Sequence, residues 1–345
     1  MTPAQAAAAH ALLPVRVRRA DVVGQGHINT TTRVEGDDGS LWCLQRLNPV
    51  FADERVVMAN VEMVVAQLRR CGHRSLDLCV ADGRPWWSDD DGGVWRAYRW
   101  IDGEPASEHA RPDWTAVAGM VGSFSAALAD LDDHQVVTVV ERFHHPVDRW
   151  YQLEQAVADD AAGRLARSAP DLDHARRLAD RVWAETPATH WAELPQQVVH
   201  NDTKTANILV EADGSPITLI DLDTTMMGSP LNDLGEFVRG CPFVEGRQGG
   251  ERLARLALAF AQGLDRPLAA PEWEGLASAA AVLSFENAVR ALTDHLDGDR
   301  YYDLGEGVNL GRFQRHATRA EALLDLAPAA AAALAESDGS SAVNR

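Results

Sequence analysis

The run Val198-Val199-His200-Asn201-Asp202-Thr203-Lys204-Thr205-Ala206-Asn207-Ile208-Leu209-Val210, followed by Ile220-Asp221-Leu222-Asp223, decides the fold. It predicts an apolar strand ending in a tight polar loop, then a second strand. The turn Ala212-Asp213-Gly214-Ser215 returns a third strand that ends at a carboxylate. Asp202, Asn207 and Asp221 are thereby expected to share one small volume. Asp and Asn are ordinary turn formers taken singly, because their side chains bond local backbone. The ordered set His-x-Asp-x-x-x-x-Asn, flanked by apolar strands and followed by Ile-Asp-x-Asp, is far more restrictive. Two carboxylates and a carboxamide suit coordination of a hard cation and removal of a hydroxyl proton beside a nucleotide phosphate. The chemistry expected is phosphoryl transfer, with ATP and Mg2+ as cofactors.

The rest of the chain is read outward from this stretch. Upstream, strands are expected over 15–23, 30–34 and 41–47, a helix over 53–70, and a strand hairpin over 84–87 and 94–100. Five antiparallel strands and one helix would form an N-lobe, residues 1–102. Downstream, helical periods dominate: Trp114, Val117, Val121, Phe124 and Leu128 make one stripe, and Ser229-Pro230 starts another helix. Further helices are expected over 252–263, 273–296 and 311–326, the last stopped by Pro328. The C-lobe would span 103–336 and a disordered tail 337–345. The fold class is α+β, a bilobal protein-kinase-like fold whose mainly helical C-lobe carries the catalytic hairpins.

Within the N-lobe, Gly24 and Gly26 lie between the first two strands, where glycine lets backbone fold closely over ATP phosphates. The third glycine of such a lid is missing, with Asn29 at its place. The third strand reads Leu44-Gln45-Arg46-Leu47, so Gln45 falls where a phosphate-holding lysine would stand, with Arg46 a rival if the register slips by one. Glu62 is the expected helix partner, and Tyr98 through Trp100 to Asp102 the expected hinge offering backbone groups to adenine.

Composition narrows the class of partner. The chain has 345 residues, 46% hydrophobic and 24% charged, with a formal net charge of −19, which argues against a nucleic-acid groove. The four cysteines, at 43, 71, 79 and 241, lack zinc spacing and are expected reduced and buried. Residues 1–13 lack the cationic start of a secretory signal, and no window approaches the roughly 18 apolar residues of a membrane span. A cytoplasmic protein, with a monomer favoured, is expected.

The motifs Gly26-His27-Ile28-Asn29-Thr30-Thr31, Leu44-Gln45, Asn60-Val61-Glu62, Trp95-Arg96-Ala97-Tyr98, His200-Asn201-Asp202-Thr203-Lys204, Asn207-Ile208-Leu209 and Ile220-Asp221-Leu222-Asp223-Thr224 resemble the N-acetylhexosamine 1-kinases. These belong to the aminoglycoside phosphotransferase and choline kinase superfamily, and the likeness spans about residues 20 to 305. It implies MgATP-dependent phosphorylation of the anomeric hydroxyl of N-acetylglucosamine or N-acetylgalactosamine. It also implies that Asp202 accepts the hydroxyl proton as base, that Asn207 and Asp221 hold magnesium, that Asp223 assists a second ion or orients the first, that Asp233 braces the catalytic loop, and that a strand glutamine is compatible with activity. His27 and Arg290 match positions near the sugar, with Arg239 a third candidate, alongside Asp202 itself. Residues 241–280 depart from the family pattern, which leaves the acceptor open. The alternatives are a kinase for another small alcohol or amino sugar, such as an aminoglycoside, and a non-catalytic nucleotide-binding module.

Overall fold

The computed structural model describes residues 1–25, 29–49, 53–132, 134–301, 305 and 307–342. The N-terminal half-lobe opens with helix α1 (Pro3–Leu12), where the sequence analysis placed no element. Its start is locally encoded: Thr2 and Gln5 form a reciprocal capping box and Pro3 occupies the first turn. Strands β1 (Val17–Gln25), β2 (Thr30–Gly36) and β3 (Leu41–Arg46) follow, then helix α2 (Glu54–Arg70) capped by Asp53, and strands β4 (Trp87–Ser88) and β5 (Val94–Arg99). They form one antiparallel sheet in the order β1-β2-β3-β5-β4. The expected strand over 84–87 is reduced to a two-residue edge.

Strand alternation splits this sheet cleanly. Val34, Trp42, Leu44, Trp95 and Ala97 pack with Ala8, Ala9 and Leu12 of α1 on the outer face. Cys43, Val94 and Tyr98 join the main core with Val57, Val61, Val64 and Leu68 of α2 on the inner face. The register Gln45↔Arg96 and Cys43↔Tyr98 sets these polar and apolar inner residues side by side.

Beyond β5, strand β6 (Glu104–Pro105) joins β8 (Ile208–Val210) and β9 (Pro216–Leu219) in a second sheet, while β7 (Gln197–Val199) pairs with β10 (Met226–Gly228). Around these hairpins lie α3 (Trp114–Leu128), α4 (Pro146–Asp159), α5 (Ala169–Glu185), α6 (Pro230–Val238), α7 (Gly246–Gly263), α8 (Ala270–Gly275), α9 (Ala279–Leu296) and α10 (Val308–Ala342). Helices α3 and α7 approach closely at Gly122, where a Cβ would sit 2.1 Å from the Phe260 carbonyl oxygen. The helix expected over 273–296 is two, α8 and α9. The stop expected at Pro328 fails, because α10 continues to Ala342. Proline removes one backbone donor, but Leu323, Leu324, Leu326, Ala330 and Leu334 on both sides of it are buried, and that packing holds the helix together. Residues 337–342, expected as tail, therefore belong to the helix. All four cysteines are free, and Cys71, expected buried, is exposed.

Candidate functional site

The loop between β7 and β8 is fixed from below by one buried carboxylate. Asp233, in the first turn of α6, accepts the backbone N–H groups of His200 at 3.1 Å and Asn201 at 2.7 Å and the Ser125 hydroxyl at 2.8 Å. Burial raises its carboxyl pKa above the usual range, against the pull of these donors. Asn201 adopts a left-handed backbone, φ 63°, and its side chain donates to the carbonyls of Thr224 and Met226, both at 3.2 Å. Gly228 permits this: a Cβ there would stand 2.5 Å from Asn201 Oδ1.

His200 ties the two halves of the motif together. Its Nε2 lies 2.9 Å from the Ile220 carbonyl, which can only accept, so Nε2 carries the proton and Nδ1 accepts the Asp202 N–H at 3.2 Å. One imidazole thus spaces the loop bearing Asp202 from the strand end bearing Asp221. Asp202 Oδ2 accepts Lys204 Nζ at 2.5 Å and Asn207 Nδ2 at 3.1 Å, and the same Nδ2 donates to the Asp202 carbonyl at 2.9 Å. Oδ1 is the oxygen left to meet a hydroxyl. Burial works against the Lys204 charge, but Asp202 and Asp221 outweigh it and hold its pKa above the lysine range. Asp221, also left-handed at φ 63°, has its carboxyl pKa raised by burial, then by Asp223 and Asp202, against Lys204 and Arg96. The structure therefore brings Asp202, Asn207 and Asp221 into one electrostatically coupled group.

This donor set fits a transient divalent cation rather than a resident one. Among the described residues no group of three or more His, Cys, Asp and Glu side chains forms a metal cage. Mg2+ is characteristically held by one or two carboxylates plus substrate phosphates. Asp221, with its side chain 27% exposed, offers such a carboxylate, and Asn207, whose amide nitrogen is committed to Asp202, offers its oxygen. Asp223, expected to assist a second ion or orient the first, holds neighbouring side chains. Its Oδ1 pairs with Arg96 Nη1 and its Oδ2 accepts Asn29 Nδ2 at 2.7 Å, and it is 3% exposed. Both oxygens are already committed to neutralising and fixing neighbours.

The roof of the site departs further from the sequence reading. Gln45 is buried on the inner sheet face, donating to Thr31 Oγ1 at 3.0 Å and accepting Arg96 Nε at 2.8 Å. Arg46, its rival, is exposed and lies 3.9 Å from Asp89. Glu62 is exposed on α2, and among the described residues no ion pair links it to the site. The buried residue there is Asn60, which donates to the carbonyls of Val137 at 2.7 Å and Thr225 at 3.3 Å and accepts the Val137 N–H at 3.0 Å. Helix α2 is thus tied to the metal-loop segment by a carboxamide instead of a glutamate.

Tyr98 is a core residue, 6% exposed, with burial raising its pKa well above the phenol range. It pairs with Cys43 across the sheet, and the N–H groups of Arg99 and Trp100 are bound to the carbonyls of Asp77 and Leu41. The Arg99 and Trp100 N–H groups are therefore already used within the N-lobe; Trp100 keeps a half-buried ring beneath Arg33, 5.2 Å from its centroid. Gly24 ends within β1, while Gly26 and His27 lie outside the described residues.

Arg239 forms an ion pair with Glu236, whose other oxygen accepts Asn287 Nδ2 at 2.8 Å. Burial opposes the Glu236 charge, but Arg239 overcomes it and brings the carboxyl down to about 2. Arg290 lies over the rings of Phe143, at 5.0 Å, and Tyr301, at 6.0 Å. A cavity of ≈ 620 Å³ opens beside Thr205 and Arg239, lined also by His109, Arg315, His316 and Arg319. Its lining holds no carboxylate. Arg96, Lys204 and Asn60 are among the residues here that had no role in the sequence reading.

A model of the phosphotransferase enzyme family matches residues 20–281. Among solved structures, an aminoglycoside phosphotransferase from Alicyclobacillus acidocaldarius is 15% identical, with 98% of this chain and 96% of that one covered and a TM-score of 0.55. Spectinomycin phosphotransferase, in complex with ADP and spectinomycin, is 11% identical over 93% of this chain and 96% of its own, with a TM-score of 0.61. Amicoumacin kinase, in complex with AMP-PNP and Ca2+, is 13% identical over 91% of each chain, with a TM-score of 0.63. The two-lobed, kinase-like fold is shared with all three, and no helix among the described residues is long and apolar enough to cross a membrane. The chain belongs to the phosphotransferase enzyme family.

Proposed function

We propose that the protein transfers the γ-phosphate of MgATP to the anomeric hydroxyl of an N-acetylhexosamine, giving a sugar 1-phosphate, in the cytoplasm and as a monomer. The observation that carries the transfer reading is the Asp202 carboxylate: Lys204 and Asn207 both bind Oδ2, which fixes its rotamer and leaves Oδ1 for a hydroxyl. Asp202 would accept the acceptor's proton as attack on phosphorus develops. Asn207 and Asp221 would hold Mg2+, which when bound neutralises phosphate charge. Lys204, held cationic between Asp202 and Asp221, is placed to meet charge developing on the transferred group. The ADP and AMP-PNP bound by two of the structural relatives support a nucleotide in the cleft between the lobes, which we divide at residue 102. The hinge donors to adenine would then come from the chain beyond Trp100.

The acceptor reading rests on the motif resemblance. A neutral sugar with hydroxyl and acetamido groups suits arginine donors, with Arg239, Arg290 and His27 as candidates. Incubation with MgATP and a panel of N-acetylhexosamines, neutral hexoses, choline and aminoglycosides, followed by ADP release and phosphorus NMR, tests this. An N-acetylhexosamine 1-phosphate is expected. Phosphate on an aminoglycoside hydroxyl alone would overturn the acceptor reading, and nucleotide binding without turnover on any acceptor would overturn the enzymatic one.

A further inference from the structure

The phosphate-holding lysine of kinases is absent from β3, and the inner sheet face shows a different solution. Arg96 on β5 stands directly opposite Gln45, which occupies that place on β3. Its side chain is fully buried and held at two points: Nε donates to Gln45 Oε1 at 2.8 Å and Nη1 pairs with Asp223, while Nη2 lies 3.9 Å from Asp221 Oδ1, beyond hydrogen-bond distance. Gln45 is in turn fixed by Thr31, and Asp223 by Asn29, whose Oδ1 accepts the Asn48 N–H at 3.0 Å. The guanidinium is therefore aimed, and the neutral glutamine is one of the residues that aim it.

One donor group in this arrangement has no acceptor. Arg96 Nη2 is buried and makes no hydrogen bond. Buried donors are almost always satisfied, and one left over on the side of Asp221 calls for a ligand. A guanidinium fork with Nη1 committed and Nη2 vacant matches a phosphate oxygen in geometry and charge. The exposed position of Glu62 fits the same picture, since Asp223 has taken over the carboxylate role in holding the strand cation.

We infer that Arg96 replaces the strand lysine, binding a nucleotide phosphate through Nη2 while Nη1 remains on Asp223. This rests on the nucleotide reading of the site, and the experiment separates the two. Calorimetric titrations with ADP and with adenosine, both with Mg2+, are compared for the wild-type protein, Arg96→Gln and Arg96→Lys, with melting curves to establish folding. Loss of a charge-assisted phosphate contact should weaken ADP by about tenfold or more in Arg96→Gln while adenosine binding stays within about twofold. If Arg96→Gln does not fold, the same selective loss, smaller in size, is expected in Arg96→Lys, which keeps the charge but not the fork. The double variant Gln45→Lys/Arg96→Gln, with the cation moved to β3, should recover part of the ADP affinity. Equal weakening of ADP and adenosine, or weakening of neither, would overturn the inference. A wild-type protein that binds neither ligand would instead remove the nucleotide reading itself.

Discussion

The floor of the site, from His200 to Asp233, and its roof, the inner face of the N-lobe sheet, are built on different principles. On the floor the Asp202 side chain is placed by neighbours within five positions, Lys204 and Asn207, and the loop backbone is anchored by Asp233 at separations of 32 and 33. On the roof the contacts that place Arg96 and Asp223 are long-range, with Gln45 and Arg96 51 residues apart, Arg96 and Asp223 127, and Asn29 and Asp223 194. A floor residue therefore has little freedom to be replaced by another position, because the short loop permits one geometry. A roof cation can migrate to any strand whose side chains share the face. The difference predicts that floor substitutions abolish the chemistry without unfolding the protein, and that roof substitutions spread into nucleotide affinity and lobe packing.

The largest expected effect is on the floor. Asp202→Asn keeps the shape but removes the base, and should lower kcat by about a hundredfold or more with little change in KM for ATP. Steady-state kinetics on the sugar acceptor measure this, and undiminished turnover would refute the base assignment. The second effect concerns acid stability. Glu236 is brought down to about 2 in the folded protein from an ordinary value of 4.5, so the folded state binds its proton less readily than the unfolded chain. Its contribution is present above pH 4.5 and is lost as pH falls toward about 2. Urea denaturation across that window should show the wild-type protein losing stability relative to Glu236→Gln, whose curve lacks this limb. Parallel curves would show that the pair with Arg239 does not depress the carboxyl.

The same division governs what could be read from the sequence. The floor was legible because the strands flanking Asp202 and Asn207 and the hairpin to Asp221 are local patterns with fixed side-chain period. The five-stranded sheet and α2 were legible for the same reason, while α1 was overlooked although Thr2, Pro3 and Gln5 encode its start. Arg96 could not be assigned without the β3–β5 register, which α2 and the β4 segment interrupt in the chain. The burial of the Tyr98 ring was likewise not legible, because it depends on β5 lying inside the sheet, where the Arg99 and Trp100 N–H groups bind the carbonyls of Asp77 and Leu41. At Pro328 a local rule was outvoted by buried residues on both sides, a balance that depends on α10 meeting its neighbours and so is absent from the local sequence.

The smallest expected effect tests the roof most sharply, because it contrasts two residues of one helix. Asn60 is 1% exposed and its carboxamide makes three hydrogen bonds to backbone at Val137 and Thr225, joining α2 to the segment that follows Asp223. Asn60→Ala leaves those groups buried without partners and should cost about 1–3 kcal/mol in chemical denaturation. Glu62, two positions on, is exposed, so Glu62→Ala should change stability by no more than about 0.5 kcal/mol and KM for ATP by no more than about twofold. A large rise in KM for ATP in Glu62→Ala, with Asn60→Ala near neutral, would mean that the helix turns its glutamate inward when nucleotide binds. The strand cation would then be held by α2 after all, and the migration of that role to Asp223 would describe only the nucleotide-free protein.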